Sequence, residues 1–130
     1  MKVRRPAALA VLGLIAASAL ACPLLPADGQ RLDAGPMQLA WRTEPAKIVP
    51  GQMFVLLLTL CPADATLIAV DATMPQHGHG MNYRPSLQAL GSGRWRAEGL
   101  LWHMSGAWQL RLDVEHAGRA QTLRQQVLLP

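Results

Sequence analysis

From Ala107 to His116 apolar and polar residues take strict turns. Trp108, Leu110, Leu112 and Val114 alternate with Gln109, Arg111, Asp113 and Glu115. A period of two is the signature of a strand with one face buried and one face wet. The same rhythm recurs upstream. In "TLIAVDATM" Ile68, Val70, Ala72 and Met74 alternate with Ala69, Asp71 and Thr73, and Pro75 ends the run. In "GRWRAEGLLW" Trp95, Ala97 and Leu101 fall on one face and Arg94, Arg96 and Glu98 on the other. Trp102 shares the second face, which predicts partial exposure.

Other segments complete an all-β pattern. "MFVLLLTL" (53–60) is a continuous apolar run of strand length, predicting a central strand covered on both faces. "MQLAWR" (37–42) and "AQTLRQQVLL" (120–129) read as the first and last strands. Pro50-Gly51 and His116-Ala117-Gly118-Arg119 read as turns, and the stretch around Pro85 as a looser segment. No convincing amphipathic helix interrupts this order. About seven short strands at this spacing predict an antiparallel β-sandwich of immunoglobulin-like type, residues 37–130.

The N-terminal part has a different character. Lys2, Arg4 and Arg5 precede an uncharged apolar run that ends in Ala19-Leu20-Ala21. That is the layout of a secretory signal peptide, residues 1–21, and it predicts an exported, periplasmic protein. The uncharged stretch 6–27 is also long enough to serve as a membrane anchor, although Pro23 and Pro26 interrupt it. Residues 22–36 read as an N-terminal arm. Cys22 follows "SALA", a loose lipobox, so two fates are open: lipidation of Cys22, or a disulfide with Cys61, the only other cysteine.

Charge excludes one class of partner. The chain has 12 Lys+Arg against 8 Asp+Glu. Losing Lys2, Arg4 and Arg5 with the signal leaves 9 against 8. No basic cluster remains to neutralise phosphates, so nucleic acid is not an expected partner.

The candidate chemistry lies in two short loops. "MPQHGHGM" (74–81) holds two of the four histidines and two of the six methionines. In an extended stretch His77, His79 and Met81 project to one side, with Gly78 and Gly80 allowing close approach of the backbone. "WHMSGAW" (102–108) carries His103 and Met104 at another strand end. In a sandwich such loops can share an end. Imidazole suits copper, zinc, nickel and iron, whereas a thioether favours Cu(I) and is rare on zinc. Neither loop holds a carboxylate for calcium or magnesium. Met37, Met53 and Met74 read as core fillers, and His116 as a surface turn residue. No nucleophile–base pair is visible, so the chain reads as a binding protein without enzymatic activity.

"DATMPQHGHGM" followed by "GRWRAEGLLWHMSGAWQLRLDV" resembles the YtkA-like and FixH-like domain family. The features carrying the resemblance are Met74-Pro75, Gly93-Arg94-Trp95 and Met104-Ser105-Gly106-Ala107-Trp108, over about residues 37–128. The resemblance implies an exported immunoglobulin-like domain associated with copper handling and oxidase assembly, in some members anchored to the membrane. The expectation is therefore an exported Cu(I) carrier or chaperone with His77, His79, Met81, His103 and Met104 as ligands. Its partner would be a membrane-bound oxidase or another copper-handling protein. A non-metal assembly module of such a complex and a copper redox subunit are the alternatives.

Overall fold

The computed structural model describes Cys22 and residues 29–130. The signal reading of residues 1–21 and, Cys22 excepted, the anchor reading of residues 6–27 lie outside the described residues. The fold is an all-β sandwich of two antiparallel sheets, as the alternation predicts, with nine strands rather than seven. They are β1 Gln30–Ala34, β2 Met37–Glu44, β3 Met53–Cys61, β4 Thr66–Met74, β5 His79–Gly80, β6 Ser86–Gly91, β7 Arg94–Leu101, β8 Gly106–His116 and β9 Arg119–Leu129. One sheet has the order β1-β2-β3-β7-β6 and the other β5-β4-β8-β9. Residues 30–34, within the segment expected to be an arm, pair with β2 along their whole length. Residues 86–91, read as a looser segment, form an edge strand on β7.

The core forms where the alternating apolar faces of the two sheets meet. Leu39, Trp41, Phe54, Leu56, Leu58, Leu60, Ala97 and Leu100 oppose Leu67, Val70, Ala72, Met74, Trp108, Leu110, Leu112 and Val114, all buried. On the outward face of β3, Thr59 is buried and Leu57 half-buried. Leu57 lies in register between Arg42 and Arg96, whose aliphatic stems can shade it. Around it Arg42 pairs with Glu44 and Arg96 with Glu98.

Two bulges shift the phase that simple alternation assumes. One falls between Leu67 and Ala69, and it turns Ile68 outward to 52% exposure while Leu67 enters the core. The other lies opposite Phe54/Val55 and takes up Gly99. Beyond it Leu100 and Trp102 face inward, so Trp102 is fully buried, contrary to the expected partial exposure, and Leu101 turns to the outer side. Met53 is not a core filler either: at the first position of β3, on the outward side, it is 62% exposed. Met37 and Met74 are buried as expected.

The strand directions define two ends. At one lie the loops β2–β3, β4–β5 and β7–β8 and the C-terminus. At the other Cys22 and Cys61 form a disulfide with a Cα–Cα distance of 5.8 Å, an ordinary separation for such a bond. Of the two fates open to Cys22, the structure contains the bond to Cys61.

A candidate metal centre at the loop end

β4 ends at Met74, and the chain reverses through residues 75–78 into the two-residue strand β5. The turn closes with the His77 amide donating to the Met74 carbonyl at 3.1 Å, and Gly78 takes φ +65°. A side chain would be strained there. In β5 His79 stands directly opposite Met74 and Gly80 opposite Thr73. Opposed residues of an antiparallel pair project from the same face, so His79 leaves β5 on the face that Met74 uses to enter the core. The pairing ends as the Met81 amide donates to the Ala72 carbonyl at 3.1 Å.

The second loop arrives from the other sheet. β7 delivers Trp102 into the core, and residues 102–105 cross to β8. The crossing is held at both sides: the Gly51 amide donates to the Trp102 carbonyl at 2.8 Å, and the Trp108 indole Nε1 donates to the Met104 carbonyl at 2.9 Å. Ser105 Oγ donates to the Pro130 carbonyl at 2.7 Å.

These two loops meet. The His79 and His103 ring centres are 5.3 Å apart with planes at 87°, and His77 lies 6.1 Å from His79 in a near-parallel plane. Below them His103 meets Trp108 edge-to-face at 5.4 Å. Trp108 in turn stacks on Trp102 at 5.2 Å, and Trp102 meets Phe54 at 5.3 Å. The three histidines are exposed, whereas both tryptophans are fully buried. The floor of the cluster is thus a buried aromatic column, and exposed imidazoles lie above it. Trp102 Nε1 is the one buried side-chain polar atom among the described residues that finds no hydrogen-bond partner.

Each expected ligand can now be located. His77, His79 and His103 come together at one end. Met81 and Met104 are half-buried and pack against the core. His116 is at the opposite end, where its Nε2 lies 2.9 Å from Asp64 Oδ1. Trp108, which meets His103 edge-to-face, stood in the sequence as an alternating strand residue and as the end of the Met104–Trp108 motif, and neither reveals what lies against it.

Three imidazoles are a donor set that suits copper, zinc, nickel and iron alike. With metal–nitrogen bonds of about 2 Å, two imidazoles on one ion put their ring centres about 5–6 Å apart. The His79–His103 separation of 5.3 Å falls there, and the His77–His79 separation of 6.1 Å is slightly longer. It is not a closed cage: among the described residues no three His, Cys, Asp or Glu side chains already converge as a metal would require. No protein-family model, curated protein or solved structure matches the chain.

Proposed function

We propose that this is an exported copper-binding protein, a periplasmic Cu(I) carrier or chaperone that is not an enzyme. The observation that carries the reading is the meeting of His79 and His103, from loops of different sheets, at 5.3 Å over a buried tryptophan. His77, His79 and His103 supply neutral imidazole nitrogens. A thioether at the same end of the sandwich supplies the softness that favours Cu(I) over Zn(II). Bound copper would give the protein a transferable cargo. The chain's own part is to offer exposed, rotatable imidazoles on a fixed floor, a design suited to release as much as to capture. The resemblance to YtkA-like and FixH-like domains points to a membrane-bound oxidase or another copper-handling protein as the recipient.

The rival reading is a non-metal module whose loops contact a membrane complex, and the lack of a pre-closed triad of ligands favours it. Competition for Cu(I) against a chromogenic chelator decides between them. The wild type should withdraw copper at one equivalent, and the His77→Ala/His79→Ala variant should not, with an unchanged circular dichroism spectrum. Equal behaviour of the two proteins overturns the copper reading.

A further inference from the structure

Resting on the copper reading, the geometry points to Met74, a buried core residue, as the thioether ligand beneath the imidazoles. Three observations converge on this side chain. First, Met74 is the cross-strand partner of His79. Directly opposed residues share a face, with β-carbons about 4.5–5.5 Å apart, so the thioether and the imidazole leave the sheet side by side. Second, Met74 reaches the other loop. A β-carbon built on Gly106 would stand 2.7 Å from Met74 Cε, and Gly106 has φ +129°. The methyl group of Met74 thus occupies the space that a side chain at 106 would need. Gly106 directly follows the loop that carries His103. Third, Met74 is fully buried, so its sulfur is kept from water and from solvent-borne oxidants.

The other two thioethers lack this arrangement. Met81 lies two positions further from the loop end than His79, its amide on the Ala72 carbonyl. It lines a groove with Ile68, Asp71 and Tyr83, on the flank of the sandwich. Met104 belongs to the His103 loop alone. Met74 pairs with His79 and reaches Gly106, next to the His103 loop. An ion held by His79 and His103 would have this sulfur on its inner side and His77 free to close from solvent. A neutral, soft donor on the dry side of the ion selects Cu(I), while the exposed imidazoles supply affinity that copper and zinc share.

The test compares Met74→Leu, Met81→Leu and Met104→Leu with the wild type in chelator competition with Cu(I), and in parallel with Zn(II). A Met-to-Leu exchange nearly conserves volume. Met74→Leu should weaken Cu(I) binding about tenfold or more, since even groups that merely orient a ligand are worth that much, and leave Zn(II) binding unchanged. The other two variants should bind like the wild type. As a measurement independent of how Met74→Leu folds, the Met81→Leu/Met104→Leu protein is made with selenium-substituted methionine and loaded with Cu(I). Copper X-ray absorption should then show a selenium neighbour. Copper binding without a selenium neighbour, or with undiminished affinity in Met74→Leu, overturns the assignment and leaves the copper reading standing. A wild type that takes up no Cu(I) overturns both.

Discussion

Removing the Cys22–Cys61 bond should destabilise the domain by a calculable amount. The two cysteines are 39 residues apart in sequence. Cross-linking a loop of that length lowers the entropy of the unfolded chain by about 13 cal/mol/K, worth about 4 kcal/mol at 25 °C. Residual structure in the open chain reduces the measured effect, so about 2–4 kcal/mol is the working figure. For a domain of roughly a hundred residues each kcal/mol moves the melting point by about 4–8 °C. The Cys22→Ser/Cys61→Ser variant is therefore expected to melt at least about 10 °C lower. Urea unfolding followed by tryptophan fluorescence gives the free energy directly, because the buried Trp102–Trp108 stack reports loss of the core. The near-ultraviolet circular dichroism of the native state should not change, since the bond acts mainly on the unfolded chain. A variant within about 0.5 kcal/mol of the wild type would refute the reasoning: the covalent link would then constrain nothing that matters to folding.

Four further expectations follow from named residues. Gly93→Ala should cost about 2–5 kcal/mol, because φ is +74° there and the new β-carbon would lie 2.5 Å from the Leu60 carbonyl oxygen; chemical denaturation measures it. Ala117→Asn should stabilise by about 0.5–1 kcal/mol, since Ala117 and Gly118 both have positive φ in the two-residue β8–β9 turn, where Asn-Gly is preferred; a melting-point increase checks it. His116→Ala should leave Cu(I) affinity unchanged, because His116 faces Asp64 at the far end; the same chelator titration reads it. Copper affinity should fall as pH is lowered, because protons and copper compete for the same imidazole nitrogens, and titration at a series of pH values shows the slope.

The strands that sequence reveals are those whose two faces meet different surroundings. β8 sits inside its sheet with one face in the core and the other in water, and its alternation survives intact. β1 and β6 are edge strands with little to bury, so Gln30–Ala34 and Ser86–Gly91 carry no such rhythm. Bulges defeat the method differently. Gly99 adds a residue to β7 that has no counterpart on β3, and every side-chain assignment after it, Trp102 included, inverts. At the site, the histidines are legible because their residue type is rare and clustered. Their meeting depends on two connections ending at the same end of the sandwich. The place of Met74 depends on the β4–β5 register and on the space at Gly106, and neither is written in the local pattern.

The disulfide and the histidines occupy opposite ends of the sandwich, and this separation gives the molecule a direction. β8 alone runs eleven residues between those ends, a span of roughly 35 Å at strand rise. Cys22 is fastened to the far end of β3. A molecule held on its N-terminal side would therefore carry the imidazoles at its outer tip, the first part to touch whatever stands across the gap. The same distance insulates the two sulfur chemistries from each other. Thiols at one end, if the bond were ever opened, could not reach an ion bound at the proposed copper site, so on that proposal a change in redox state there would leave the ion in place.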